Sequence, residues 1–480
     1  MKKLIKFYNT LLILAVTIFF QSCTKTVDLI AHNGNIYTVD ENFSKASAFA
    51  VKNGKFIDVG SDDILSKYKS ENIINLNGST VLPGLIDAHC HFYGLGLNQS
   101  VIDLTGTKSF EEIIDKISND DNKSVIRGRG WDQNDWTIKK FPNKTKLDLL
   151  YPETPIILER IDGHAYLVNQ KALDVAKIDV NTKSKNGTVV IENGKLTGVL
   201  IDGPMSLIDK AFGNISNQEK IDALLSAQDI CFKHGLTTVD DAGLSKEVIL
   251  LIDSLQKKNK LKMRVYAMIS NSTEDVNYFL DKGPIKTSLL NVRSVKVYGD
   301  GALGSRGATL KEPYSDDKHN YGKLVTDIQS VKELAKRLSD ENFQMNTHAI
   351  GDSTINILLN EYSKVLENKK DPRWRIEHSQ IVDLNDINGY SKKILPSVQP
   401  THATSDMYWA EDRVGPKRIK GAYAYKDLLE RSKVIGLGTD FPVEKVNPFH
   451  TFYAATARKD LDNYPEGGFE FSNALSREET

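Results

Sequence analysis

Five short segments in one order carry groups that bind metal: Asp87-Ala88-His89-Cys90-His91, Lys296, His348, His378 and Thr439-Asp440. Each sits at or just past the end of an apolar, β-branched run, which is where a (β/α)8 barrel puts its chemistry. A lone His-x-His is weak, because ten histidines in 480 residues produce one readily by chance. The ordered series is what gives the signal its strength. Side chains alternate along a strand, so His89 and His91 point one way and Cys90 the other. Two imidazoles can then converge on a cation, and the whole series supplies a ligand set for two-metal hydrolysis.

The elements that must position these groups can be counted along the chain. Thr80 to Asp87 reads as a first strand, followed by Leu236 to Asp240, Met263 to Met268, Val292 to Tyr298, Gln344 to His348, Trp374 to His378, Ile394 to Gln399 and Val434 to Gly438. Helix-like segments such as Lys246 to Lys258 and Val331 to Asn342 separate most of them, which predicts a parallel sheet. The fold class expected is therefore α/β, a TIM (β/α)8 barrel over residues 80–480. Residues 101–221 exceed any ordinary βα loop and read as an insertion subdomain over the barrel mouth. They hold a helix pattern at Phe110 to Ile117, a strand at Pro155 to Glu159 and a hairpin at Thr188 to Leu200 around Asn193-Gly194. Short alternating runs over 24–79, punctuated by Asn33-Gly34 and Asn53-Gly54, predict a small antiparallel, sandwich-type side domain.

Lysine plus arginine (62) nearly balance aspartate plus glutamate (63), so a net charge of -1 gives no reason to expect nucleic acid. A small-molecule substrate is expected instead. Residues 1–22 have the form of a secretory signal: Lys2-Lys3, an apolar run Leu11 to Phe20, then Gln21-Ser22-Cys23. Phe20-Gln21-Ser22-Cys23 resembles a bacterial lipoprotein lipobox with Phe in place of Leu. That resemblance implies lipidation of Cys23 and a membrane-anchored protein of the bacterial cell envelope. A plain signal peptide or an uncleaved anchor stays open as the alternative. The remaining cysteines, Cys90 and Cys231, are expected to be buried thiols rather than a disulfide.

Larger motifs surround the ligand series. Pro83-Gly84-Leu85-Ile86-Asp87-Ala88-His89-Cys90-His91, Asp162-Gly163-His164-Ala165, Lys296 with Asp300-Gly301, and His348-Ala349-Ile350-Gly351-Asp352 come first. Glu377-His378, Gln399-Pro400-Thr401-His402 and Gly438-Thr439-Asp440 complete the set. Together they resemble the amidohydrolase superfamily, and more narrowly its amidohydrolase 3 branch of YtcJ-like and N-substituted formamide deformylase-like proteins. Members of that branch continue beyond the segment that ends here at Thr480, so the resemblance implies a missing C-terminal segment, through an incomplete record or a natural truncation.

What the resemblance implies chemically is hydrolysis of a non-peptide, amide-type C–N bond by a hydroxide held on two divalent cations, with zinc the expected metal. His89, His91 and Asp440 would hold one cation, and His348 and His378 the other. Two close cations need a shared anion, and Lys296, carboxylated to a carbamate, is the candidate bridge; a Lys296–Asp300 ion pair is the alternative. Asp440 would take the proton of the water and pass it to the leaving nitrogen. His164, Gln399, His402, Arg306 and Trp131 are candidate substrate contacts, with Asp132 beside them. Ordinary packing or a surface ion pair is the competing role for each of these. A mononuclear deaminase on the same barrel and a non-catalytic, surface-anchored binding protein are the rival functions.

Overall fold

Buried strands rich in Val, Ile and Leu, separated by capped helices, produce the barrel. The computed structural model describes residues 24–99, 101–118, 125–184, 186–213 and 215–480. Cys23 lies outside them, so its lipidation has no structural counterpart here. The described residues divide into two compact units, one ending at Leu85 and one running from Ile86 to Thr480.

Eight parallel strands lie side by side in chain order: β1 (Leu85–Cys90), β2 (Leu236–Leu244), β3 (Arg264–Ile269), β4 (Leu290–Tyr298), β5 (Gln344–Ala349), β6 (Trp374–His378), β7 (Ile394–Val398) and β8 (Gly436–Leu437). All six residues of β5 are buried, the pattern of a strand covered on both faces. Helices between the strands start where side chains satisfy their first N–H groups. Ser216 and Glu219 form a capping box ahead of Asn217–Lys233, and Ser245 caps Lys246–Lys257. The helix expected at Val331 begins earlier, at Ile328, because the Asp327 carboxylate accepts the Ser330 N–H at 3.0 Å. Cys90 and Cys231 are both buried free thiols.

The first and last strands meet through few bonds. Asp440 N–H donates to His89 O at 2.7 Å and His91 N–H to Phe441 O at 2.8 Å. The Asp87 carboxylate accepts the Thr439 hydroxyl at 2.7 Å and the Thr439 N–H at 3.1 Å. Gly438 permits this approach, since a Cβ there would lie 2.5 Å from His89 N and 2.8 Å from the Asp87 carboxylate.

Within residues 102–202, six strands form a second sheet in the order Ile102–Asp103, Ile126–Trp131, Ile156–Arg160, Ala165–Val168, Lys195–Asp202 and Gly187–Glu192. The helix Phe110–Ile117 covers it with Ile113, Ile114 and Ile117. Trp131 belongs to this core: it is fully buried and its indole N–H donates to Leu158 O at 2.9 Å. It is therefore a packing residue and not a substrate contact, because an indole this enclosed cannot face the mouth.

The unit ending at Leu85 differs from the expected single antiparallel sheet. Asn53-Gly54 does close a hairpin, with both residues at positive φ and Lys52 opposite Lys55. Asn33-Gly34 does not: Leu29–His32 pairs with Ala48–Lys52 and Ile73–Asn75, whereas Asn35–Tyr37 pairs in a separate three-stranded sheet. The chain there passes between sheets. Thr80–Val81 pairs with Asn35–Ile36, so the run taken as one barrel strand is broken at Pro83-Gly84 and β1 starts at Leu85. Among the described residues no helix is long and apolar enough to cross a membrane.

Gly438→Ala should destabilise the barrel by about 1–3 kcal/mol through overpacking against β1. Thermal unfolding checks this, and a melting temperature equal to wild type would show that β1 and β8 can separate without cost.

Candidate metal centre

The strand ends bring His89, His91, Lys296, His348, His378 and Asp440 into one cluster. Ligand atoms of His89, His378 and Asp440 all lie within 4.8 Å of one another, the one such trio among the described residues. His91 Nε2 is 3.1 Å from Asp440 Oδ1, Lys296 Nζ donates to His89 Nε2 at 3.1 Å, and the His348 ring centre is 4.4 Å from that of His378. The tight trio crosses the expected division of ligands, since His378 stands with His89 and Asp440 as well as with His348.

Two backbone departures make this possible. Adjacent strand residues face opposite ways, yet Glu377 Oε2 reaches His89 Nδ1 at 2.5 Å while the His378 ring centre lies 4.9 Å from that of His89. His378 has φ +73° and Ser379 φ +44°, which turns the strand end so that both neighbours point inward; Asp440 likewise has φ +60°. Such conformations cost free energy and are held by their surroundings.

Electrostatics set the protonation states. A carboxylate can only accept, so His89 carries its proton on Nδ1 and presents the Nε2 lone pair to the cluster. Burial and the nearby Lys296 bring the His89 pKa down to about 4. Burial also pushes His348 and His378 well below the ordinary histidine value. All three are neutral ligands at neutral pH. His348 Nε2 and His378 Nδ1 are buried atoms with no hydrogen-bond partner among the described residues, an arrangement that a cation would complete. Burial lowers the Lys296 pKa, against the pull of Glu377 and Asp440. Asp440 stays ionised: burial opposes this, but His89 and His91 outweigh it and hold the carboxyl well below its usual range.

A supporting layer orients His89. Arg375 donates from Nε to Glu377 Oε1 at 2.6 Å, from Nη1 to Asp240 Oδ2 at 2.7 Å and from Nη2 to Ala88 O at 2.6 Å. Burial alone would raise the Glu377 pKa; Arg375 and His89 more than offset it and keep the carboxylate ionised. The sequence reading gave Glu377 no task, because strand alternation places it opposite His378. Asp300 is not the partner of Lys296. Its carboxylate accepts the N–H groups of Ile350 (3.0 Å), Gly351 (2.9 Å) and Thr309 (2.9 Å), fixing the loop after β5.

A cavity of ≈ 240 Å³ opens beside the cluster, its wall including His164, His348, His378, His402, Asp440 and Trp409. His164 reaches it with Nδ1 donating to Asp202 Oδ1 at 2.7 Å. Burial lowers its pKa, but Asp202 overrides this and raises it to about 9, so the ring is a cation at neutral pH. His402 lies parallel to His378 with ring centres 6.0 Å apart and Nε2 3.9 Å from Asp440 Oδ2. Two other expected contacts are not on this wall. Gln399 is buried with its carbonyl accepting from Tyr425. Arg306 is held away by Asp316 at 2.9 and 3.2 Å, a geometry that uses up its guanidinium fork.

The pattern of the amidohydrolase family matches residues 72–480. The chain belongs to that family. It is 32% identical to the putative amidohydrolase YtcJ of Bacillus subtilis, over 90% of this chain and 84% of that one. It is 22% identical to N-substituted formamide deformylase of Arthrobacter pascens, over 92% and 86%. An uncharacterized metal-dependent hydrolase from Pyrococcus furiosus is similar in structure, with a TM-score of 0.72 and 27% identity over 94% of this chain and 92% of that one. This amidohydrolase is accordingly a hydrolytic enzyme of the superfamily, and the His–Asp cluster is its divalent-metal site.

Glu377→Gln should lower metal affinity about 10–100-fold while the fold persists, as loss of a partner that orients a ligand does. Metal content after dialysis against graded chelator, with circular dichroism as control, measures it. Unchanged retention would remove Glu377 from the site's support.

Proposed function

We propose that this amidohydrolase cleaves a non-peptide, amide-type C–N bond of a small molecule at a centre that holds two divalent cations, zinc being the metal its ligands suit. The observation that carries the reading is the convergence of His89, His378 and Asp440 within 4.8 Å, directly beside a buried lysine whose amine touches His89. When bound, the cations supply Lewis acidity, polarising a carbonyl and lowering the pKa of a water toward 7. The formamide deformylase relative supports the choice of bond.

The chain's own groups provide the rest. His89 and His91 offer lone pairs from β1 and its end, and His348 and His378 offer theirs from β5 and β6. Lys296, at 1% exposure, is biased by burial toward the neutral amine. That amine can attack carbon dioxide and lose a proton, leaving a carbamate anion whose two oxygens can face two cations. Asp440, ionised and within 3.9 Å of His402, accepts the proton of the attacking water and returns it to the departing nitrogen. His164 donates from the opposite wall toward the substrate carbonyl or acyl group.

The trio of ligands around one position also fits a mononuclear centre of deaminase type. Metal analysis separates the two: two ions per chain supports the bridged hydrolase, one ion the alternative. The metal-loaded enzyme assayed on N-formyl and N-acyl compounds tests the bond; release of ammonia from aminated heterocycles with no amide turnover would replace the reading.

Asp440→Asn should fold yet lose nearly all turnover, about 10²–10⁴-fold, since an amide cannot accept a proton at neutral pH. Lys296→Ala should lose metal and activity together, and formate or acetate should restore part of both by supplying a bridging anion. Full activity in Lys296→Ala, with two ions bound and no carboxylate added, overturns the bridge and leaves the barrel assignment intact.

Envelope anchoring through a lipidated Cys23 completes the proposal. Its support is the basic, apolar and Ser22-Cys23 pattern of the sequence. Cys23→Ala should release the protein from membranes or block its maturation; unchanged fractionation and mass count against the anchor.

A further inference from the structure

The cavity beside the metal cluster has an unequal charge lining. Of its acidic residues, Asp132 and Asp162 share Arg160, with Asp132 at 2.5 Å from the guanidinium. Asp440 belongs to the histidine cluster, and the cationic His164 is committed to Asp202. Two carboxyls on the same wall, Asp406 and Glu444, have only neutral donors. Asp406 Oδ2 accepts from Tyr423 OH at 2.8 Å and Gln380 Nε2 at 3.1 Å, and Glu444 Oε1 accepts from Ser405 Oγ at 2.7 Å. No lysine or arginine forms an ion pair with either among the described residues. Burial pushes the Asp406 carboxyl up to about 7 and raises Glu444, with Glu444 adding to the rise at Asp406. A partly buried carboxylate pair left this way is a standing electrostatic cost that an incoming cation removes.

The same wall carries buried polar atoms that already call for a ligand. His348 Nε2 and His378 Nδ1, in side chains 3% and 5% exposed, have no hydrogen-bond partner and line this cavity. Asp406 and Glu444 do not join a third group to make another metal site, because the one trio of converging ligands among the described residues is His89, His378 and Asp440. The missing cation is therefore organic. His402 stands between the two regions, 3.9 Å from Asp440 and electrostatically coupled to both Asp406 and Glu444. A spacer of a few atoms spans that distance. Trp409 supplies an aromatic wall next to the carboxyls, a surface on which alkylammonium groups rest favourably.

We infer that this site takes amides bearing an organic cation, such as a primary ammonium group, with the cationic end against Asp406 and Glu444 and the amide against the metal ligands. The inference rests on the hydrolase reading above and adds the substrate class.

Matched pairs test it on the zinc-loaded enzyme. N-acetyl-1,4-diaminobutane is compared with N-pentylacetamide and 5-acetamidopentanoate, placing the charge on the amine side. The N-methylamide of 5-aminopentanoic acid is compared with N-methylhexanamide, placing it on the acyl side. In at least one pair kcat/KM should favour the cation by about tenfold or more over its neutral partner, with the anion poorest. The ratio should fall to about one in Asp406→Asn/Glu444→Gln. Glu444→Gln alone, at a partly exposed position, should show a smaller fall and serves if the double variant does not fold. If no compound is hydrolysed, the C–N hydrolase reading fails by itself, and the same ratio is read as Kd by calorimetry. Equal affinity within both pairs, no measurable binding, or a cation preference that survives in the variants overturns the cation site.

Discussion

Everything at the mouth of this barrel depends on how closely β1 and β8 approach. Neither strand offers the other a full ladder; β8 is two residues long. The seam is closed by two backbone hydrogen bonds, by Asp87 accepting from Thr439, and by the missing side chain at Gly438. The same seam sets the chemistry, because Asp440 N–H bonds to His89 O and so places the Asp440 carboxylate against the His89 ring. A barrel that closed one residue out of register would keep its core and lose its ligand cluster, since side chains alternate faces.

Burial imposes the second constraint. Concentrating imidazoles, carboxylates and an ammonium group in a dry strand end is unfavourable unless charges are neutralised or paired. The structure does both. His89, His348 and His378 give up their protons, Lys296 is driven toward the neutral amine, and Glu377 remains charged because Arg375 clamps it. Each response serves metal binding: neutral imidazoles expose lone pairs, and an ionised Glu377 fixes which nitrogen of His89 carries hydrogen. Arg375 also ties β6 to Asp240 at the second strand and to Ala88 O on the first. Orientation of a ligand and packing of the barrel interior are thus one network.

How far the sequence could be read follows from the range of the interactions. The eight barrel strands and their order were legible because each is a local apolar run between helix signals, and the insertion hairpin was legible from Asn193-Gly194. Strand one was misread at its start, since Thr80-Val81 is as β-prone as Leu85-Ile86 and only pairing with Asn35-Ile36 assigns it elsewhere. The six ligand positions were visible as residue types at strand ends. Glu377 was hidden by the alternation rule that the positive φ of His378 breaks, and nothing local announces that departure. Trp131 and Arg306 looked like pocket residues from composition; the partners that remove them, Leu158 O and Asp316, are set by tertiary structure. Asp406 and Glu444 were missed for a related reason. A carboxylate in a loop is ordinary until its neighbours prove to be neutral.

That last point bears on how one barrel serves different substrates. The metal ligands come from strand ends, where register and burial leave little freedom. The groups around the remaining cavity come from elsewhere: His164 from the inserted sheet, Asp406 and Trp409 from the segment after β7, Glu444 from the loop after β8. Loop residues can change without disturbing the seam between β1 and β8. Charge placement makes the division directional. The His–Asp end demands a cation of its own, His164 is held positive by Asp202, and the carboxyls of Asp406 and Glu444 lie beyond His402. A bound molecule thus meets electron-withdrawing groups at one end of the cavity and electron-rich groups at the other. A dipolar substrate gains at both ends in only one orientation, so the same loops that select it also set which of its bonds faces the ligand cluster.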